Sequence, residues 1–545
     1  MRVLIAQINP TIGDLPGNTG KILRSIEIAR EQSAQLVLFP ELALTGYPPE
    51  DFLLLPHFIH DVEQHLHTIV EASKDIAVIV GLPRQNPERT EKKLFNSAAI
   101  IHNQKILGFQ DKILLPTYDV FDERRYFEPA SSVRLWEIDG MNIGVTICED
   151  IWQHSEMVKY TSYRRDPVQE LSVLVPDFVV NLSASPYSLN KSGNRQEVCC
   201  KAAATLHCPL ILCNQVGGND SLIFDGYSFY AGKDGKIIDY AKGFEEDHLL
   251  VDLSKKSKPR SFQTDPIEDL YRALVLGLRD YFQKSGFTKA CLGISGGIDS
   301  ALVACIAVEA LGVKNVLGIT MPSRYSSPGS FTDAMQLIKT LGIDHKEISI
   351  EGPFKSYLEL LEPQFSDKPW DATEENLQAR IRGMILMAVS NKFGYIVLST
   401  GNKSEIAMGY ATLYGDMCGG LTVISDVTKG QVYALAKWIN RNKEIIPTNT
   451  IVKPPSAELK PNQKDSDTLP DYDIIDNVLQ SYVEDHCSPQ EIVGRYGYSL
   501  ELVEDLVRRI HRNEYKRRQS APGLRISERA FSVGRRFPIV QRYVE

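Results

Sequence analysis

The segment Gly293-Ile-Ser-Gly-Gly-Ile-Asp-Ser300 decides how the second half of this 545-residue chain is read. It follows the short apolar run Leu292–Ile294 and opens an apolar helical stretch, Ala301–Leu311. Glycines there permit positive φ and let backbone approach a ligand closely. Successive N–H groups at a helix start carry about half a positive charge, so the segment suits phosphate oxygens. Ser295 and Ser300 add hydroxyl donors. A Walker A loop would carry Lys before its Ser/Thr. Here Asp299 stands inside the loop, and a carboxylate beside polyphosphate calls for a cation, Mg²⁺ by its oxygen preference. The plainer alternative is a tight strand-to-helix turn with a capped N-terminus.

Outward from the loop, β-like and helical runs alternate. Val316–Met321 and Tyr395–Thr400 read as strands, and Ser330–Leu341 and Leu377–Lys392 as helices. This alternation predicts a doubly wound parallel sheet. Lys453–Pro470 is polar and Pro-containing, a loop expected over a site. Upstream, Pro266–Lys284 predicts a long helix, preceded by the Lys-rich, Pro-containing stretch Ser254–Pro266, which predicts a linker. The expected domains are therefore 1–253, a linker at 254–266, and 267–545.

The first half carries short Val/Ile-rich runs: Val3–Ile8, Leu36–Phe39, Ile76–Gly81, Ser97–Ile101, Asn142–Ile147, Phe178–Leu182 and Leu210–Val216. Thr19–Gln32 sets Ile22, Ile26 and Ala29 on one helical face. Sheets covered by helices are expected. Three strand ends carry reactive groups: Glu41 in Phe39-Pro-Glu41, Lys112 in Gln110-Asp-Lys112, and Cys148 in Ile147-Cys-Glu-Asp150. Taken singly, each has a structural explanation: a solvated carboxylate, a solvated ammonium and a core thiol.

Charge and cysteine usage narrow the classes. The net charge of -9 averages a local +8 over Arg508–Glu545 with -17 elsewhere. An acidic body disfavours general nucleic-acid binding. Nine cysteines without a C-x-x-C pair exclude a disulfide framework and give no zinc spacing. No run reaches the roughly 18–20 apolar residues that span a bilayer, and no secretory signal is read at the start, so no membrane partner and a cytoplasmic location are expected.

Ser295-Gly-Gly-Ile-Asp-Ser300 resembles the signature of the ATP pyrophosphatases. Asn376-Leu-Gln-Ala-Arg380, Leu398-Ser-Thr-Gly-Asn-Lys-Ser-Glu405 and Tyr414-Gly-Asp416 through Lys429 are similar in order and spacing to the NAD synthetase family. That resemblance implies adenylation of deamido-NAD and replacement of AMP by ammonia. It implies ATP contacts at Ser295, Gly296, Gly297, Asp299, Ser300, Arg382 and Thr400, and Mg²⁺ held by Asp299 and Glu405. Deamido-NAD would meet Asn376, Asp416, Lys429 and Lys516. Lys516 lies in the basic tail, where relatives tend to carry His before the Lys and this chain has Tyr515.

Phe39-Pro-Glu-Leu42 and Cys148-Glu-Asp-Ile-Trp152 resemble the nitrilase superfamily, whose triad runs Glu, Lys, Cys in chain order. This implies Glu41 as base, Lys112 at the oxyanion and Cys148 as nucleophile on a glutamine amide, with Glu123 as a supporting carboxylate. Tyr118, Glu149, Trp152, Ser185 and Lys191 are the implied glutamine pocket. The implied fold is an N-terminal α-β-β-α sandwich followed by the doubly wound sheet. Together the halves resemble the glutamine-dependent NAD synthetase family over essentially the whole chain. Its substrates would be deamido-NAD, ATP and glutamine, in a symmetric homo-oligomer. The rivals are a ligase of the same nucleotide class acting on another carboxylate, a plain amidase with a nucleotide-sensing domain, and a non-enzymatic binding protein.

Overall fold

A computed structural model describes all residues except 89, 156, 158–160, 256, 366, 367, 544 and 545. Internal contacts divide the chain into two compact units, Met1–Asp269 and Leu270–Glu545. Of the linker expected at 254–266, residue 256 lies outside the described residues.

The first unit is built on two six-stranded sheets. Its strands are β1 (Arg2–Gln7), β2 (Leu36–Leu38), β3 (Ala77–Gln85), β4 (Leu94–His102), β5 (Lys105–Asp111), β6 (Leu135–Ile138), β7 (Met141–Ile147), β8 (Phe178–Ser183), β9 (Leu210–Asn214), β10 (Val216–Asn219), β11 (Leu222–Asp225), β12 (Phe229–Ala231), β13 (Ile237–Tyr240) and β14 (Asp247–Asp252). One sheet runs β14-β1-β2-β3-β4-β5 and the other β13-β12-β9-β8-β7-β6, while β10 and β11 form a separate hairpin. Each large sheet has three parallel strands at its heart, β1–β2–β3 and β7–β8–β9, with antiparallel strands outside them. Their inner faces meet in one core, Val3, Ile5, Leu38 and Ile79 from one sheet against Val145, Ile147, Val180 and Ile211 from the other.

Helices cover the outer faces, giving the α-β-β-α order. The helix expected from Thr19 starts earlier, at Leu15, because Asp14 accepts from Gly17 N and caps it. Its buried stripe includes Ile22, Ile26 and Ala29. Across the molecule Pro167–Leu174 and Lys191–Leu206 pack Val168, Leu171, Val198 and Ala202 onto the second sheet. The run expected as one strand to Val216 breaks at Gln215, whose N–H bonds Ser183 O while Val216 N turns to Ile8 O.

The second unit carries β15 (Ala290–Gly293), β16 (Val316–Thr320), β17 (Asp344–Glu347), β18 (Ile396–Ser399) and β19 (Leu421–Thr422), all parallel, in the order β17-β16-β15-β18-β19. Winding proceeds one way from β15 to β17 and the other way from β18 to β19. The reversal falls between β15 and β18, the place where such sheets open a crevice for ligands. Both motif loops, after Gly293 and after Ser399, leave the sheet there. A helical layer, Tyr472–Val478, Pro489–Tyr496 and Leu500–Arg512, closes over Ala407 and Met408.

Candidate active sites

In the first unit the strand ends converge on a buried cluster. Glu41 follows β2, Lys112 follows β5 and Cys148 follows β7. Lys112 Nζ donates to Glu41 Oε1 at 2.6 Å and to Glu123 Oε1 at 2.8 Å. Glu41 also accepts from Asn96 Nδ2 at 2.7 Å and Ala184 N at 3.0 Å, and Glu123 from Tyr47 OH at 2.9 Å. Glu41 and Lys112 are 1% exposed and Cys148 is 4% exposed, so the cluster is shielded from water. Cys148 opens the short turn Cys148–Ile151 at φ 42°, a left-handed conformation rare for a non-glycine residue.

Burial sets the electrostatics. It pushes the Cys148 thiol well up; the carboxylates of Glu41, Glu149 and Glu123 add to this and Lys112 opposes it. The resting nucleophile is a neutral thiol that needs a base as it attacks. Burial would favour deprotonating Lys112, but Glu123 and Glu41 outweigh it and hold the ammonium well above its ordinary range. Glu123 itself is pushed up to about 7, by burial first, with Lys112 opposing and Glu41 adding. One ammonium between two carboxylates gives a charged donor fixed beside a thiol and a base, the arrangement amide cleavage needs.

The residues expected around glutamine fall into two groups. Tyr118 OH donates to both oxygens of Glu149, at 2.9 and 3.1 Å, and Tyr163 OH to Oε1 at 3.0 Å. Burial raises the Glu149 carboxyl. Lys191 Nζ stands 5.7 Å from the Trp152 ring centre and 5.9 Å from that of Phe121. Ser185 is buried one residue beyond Ala184, its N–H on Asn214 Oδ1 at 3.0 Å.

In the second unit the crevice is a cavity of about 340 Å³. Ser295, Gly297, Asp299, Ser300, Arg382, Thr400, Glu405, Asp416 and Lys429 all line it. Ser295 Oγ accepts from Gly297 N and meets Ser300 Oγ, each at 3.2 Å. Gly296 turns away from the cavity: at φ 81° its Hα side faces the next helix, and a Cβ there would lie 2.1 Å from Ser330 O. Arg382 donates from Nε to Met321 O at 3.1 Å, and burial pulls it down to about 10. Lys453 and the segment 454–459 form one wall of the cavity. Glu458 ties that wall to Ser327 and Ser330 at 2.7–3.1 Å.

Two expected dinucleotide contacts lie off the lining. Asn376 Oδ1 accepts from Thr412 Oγ1 at 2.6 Å, and Thr412 N donates to Asp416 Oδ1 at 2.7 Å, so Asn376 supports Asp416 from behind. Lys516 Nζ caps the carbonyls of Gly409 and Ala411 at 2.8 and 2.9 Å. Much of the basic tail is internally paired: Glu514 accepts from Arg517, Arg518 and Arg535.

The carboxylate pair accommodates a cation. Lys429 Nζ bridges Asp299 Oδ2 at 2.7 Å and Glu405 Oε1 at 2.9 Å, which shows that both oxygens address one point. Glu405 is pushed up to about 7 by burial, with Lys429 opposing and Asp299 adding. Among the described residues no three His, Cys, Asp or Glu side chains form a metal cage. Two carboxylates with room for phosphate and water suit Mg²⁺, which seldom takes an all-protein shell.

Sequence reasoning did not single out Asn96, Tyr163, Asp465 or a structural role for Asp150. Tyr163 bonds Glu149 and Asp465 lines the cavity, bonded to Tyr472 OH at 2.8 Å. Asn96 and Tyr163 stand outside the motifs; Asp150 lies inside Cys148-Glu-Asp-Ile-Trp152 and Asp465 inside the loop 453–470, but neither stretch signals what its aspartate bonds.

Comparison with known proteins covers both units. A carbon-nitrogen hydrolase family model matches residues 2–257 and a NAD synthase model residues 270–520. A glutamine-dependent NAD(+) synthetase of Synechocystis sp. is 49% identical over 551 residues, covering 99% of each chain. One of Thermotoga maritima is 43% identical over 585 residues, covering 100% of this chain and 99% of its own. Among solved structures, the glutamine-dependent NAD+ synthetase of Acinetobacter baumannii in complex with ADP matches with a TM-score of 0.78 at 40% identity, covering 99% of this chain and 98% of that one. One from Cytophaga hutchinsonii shares the fold, with a TM-score of 0.85 at 22% identity. With a buried thiol–ammonium–carboxylate cluster in one unit, a phosphate-loop crevice in the other and these likenesses running end to end, the chain belongs to the glutamine-dependent NAD(+) synthetase family.

Proposed function

We propose that the chain converts deamido-NAD to NAD in two linked reactions. In the first unit, Glu41 takes the thiol proton as Cys148 attacks the side-chain amide of glutamine. Lys112 donates to the developing oxyanion, ammonia leaves, and water activated by Glu41 frees glutamate from the thioester. Glu149, held by Tyr118 and Tyr163, pairs with the substrate α-amino group, and Trp152, Ser185 and Lys191 complete the pocket. Glu123 keeps Lys112 charged.

In the second unit, ATP phosphates lie along Ser295–Ser300 at the helix start, with Arg382 and Thr400 beside them. The nicotinate carboxylate attacks the α-phosphate, pyrophosphate leaves, and ammonia displaces AMP from the adenylate. Asp299 and Glu405 would hold Mg²⁺, which when bound neutralises phosphate charge. Asp416 and Lys429 flank the reacting groups, and Asn376 and Lys516 fix the Asp416 loop. We infer domains at 1–253 and 267–545, a cytoplasmic enzyme and a homo-oligomer.

The observation carrying this reading is the occurrence in one chain of a cluster suited to releasing ammonia from an amide and a phosphate-loop crevice suited to activating a carboxylate that accepts it. The test is Cys148→Ala assayed with glutamine and with ammonium. Glutamine-driven NAD formation should vanish while ammonium-driven formation persists. Loss of both, or of neither, refutes the division of labour.

A further inference from the structure

The loops that carry Lys112 and Cys148 leave different sheets, so no strand ladder fixes one against the other. Tyr118 OH on Glu149 links the two loops through side chains, and the Asp150 carboxylate links them backbone to backbone. Asp150 Oδ1 accepts from Ile113 N at 3.0 Å and Leu114 N at 2.8 Å, and Asp150 Oδ2 accepts from Ile147 N at 2.9 Å. Ile113 follows Lys112 and Ile147 precedes Cys148, so the carboxylate grips the residue adjoining each functional group. It also closes the turn that holds Cys148 at its positive φ.

We propose that Asp150 is a positioning residue of the amidase reaction, fixing the nucleophile turn and the lysine loop to one another. The proposal rests on the reading of Cys148 and Lys112 given above. Asp150 is 1% exposed. Burial pushes its carboxyl up to about 6, against the pull of the three N–H groups and of Lys112. A carboxylate is the side chain that offers acceptors in both directions; an amide must present N–H to one of the two backbones. Glu41 makes another cross-sheet link through Ala184 N, but it is itself a reacting group and cannot serve as fixed scaffolding.

Asp150→Asn should lower the kcat of glutamine hydrolysis by about 100-fold while KM for glutamine moves less than about threefold, since misplacement by about 1 Å costs that much in rate. Asp150→Ala, lacking all three bonds, should lose more. The pH profile of Cys148 alkylation by iodoacetamide should shift in both, because the thiol's distance from Glu41 and Lys112 changes. Ammonium-driven synthesis reports that the chain is folded. A kcat near that of the parent in both variants overturns the proposal. So does parallel loss of ammonium-driven synthesis and of thermal stability, which would make Asp150 a residue of general stability. Glutaminase activity surviving in Cys148→Ala would instead overturn the underlying reading of the site.

Discussion

Lys429 Nζ donates to Asp299 Oδ2 at 2.7 Å, and the same ammonium reaches Glu405 Oε1 at 2.9 Å. A lysine assigned from sequence to the dinucleotide thus also stands where the metal carboxylates converge. Without it, two partly buried carboxylates lose the ammonium between them, and Glu405, already near 7, rises further. Lys429→Met should reduce ammonium-driven NAD formation by about 10²–10³, the range for losing a charge stabiliser at a reacting centre. Pyrophosphate release with ammonium as sole nitrogen source measures it; an unchanged rate would remove Lys429 from the reaction.

Glutamine recognition should depend on the charge at Glu149. Two tyrosine hydroxyls orient its carboxylate, so Glu149→Gln keeps shape but loses a charge-assisted bond of about 1.5–3 kcal/mol. KM for glutamine should rise by about 10–100-fold, with ammonium-driven kinetics unaltered. Tyr118→Phe, which leaves Tyr163 in place, should show a smaller rise. Equal effects on both nitrogen donors would contradict this placement.

Glu123 makes stability fall with rising pH. Its folded value, about 7, lies above the ordinary glutamate value of 4.5, so the folded chain binds the extra proton between those limits. Its destabilising contribution is absent below about 4.5, grows through the window, and is complete above about 7. In Glu123→Gln the decline of stability between pH 4.5 and 7 should flatten, as read from denaturation midpoints at several pH values. A slope identical to the parent's would mean that Glu123 does not titrate there.

How legible was this in the sequence? The long helix Pro266–Lys284 and the Val/Ile runs of the central strands carry periodicity strong enough to place them. The outer strands do not: β5 begins at a lysine and mixes glycine with polar residues, and β12 and β13 span three and four residues. Their partners in space, not their composition, make them strands. Glu41, Lys112, Cys148, Asp299 and Glu405 were findable because each sits in a motif with fixed neighbours. Lys429 between two carboxylates was not, since a span of 130 residues separates it from Asp299. Gly296 reads as a ligand glycine in the motif, yet a Cβ there would also collide with Ser330 O.

The left-handed backbone at Cys148 has a final consequence. A side chain there costs about 1–2 kcal/mol that glycine would not incur, against roughly 0.5–1 kcal/mol for glycine's greater unfolded freedom. Cys148→Gly should therefore melt above Cys148→Ala, reversing the usual order at a buried position; the normal order would deny the strain. A directed-evolution screen for thermal robustness, blind to chemistry, would favour glycine at 148 and discard the nucleophile.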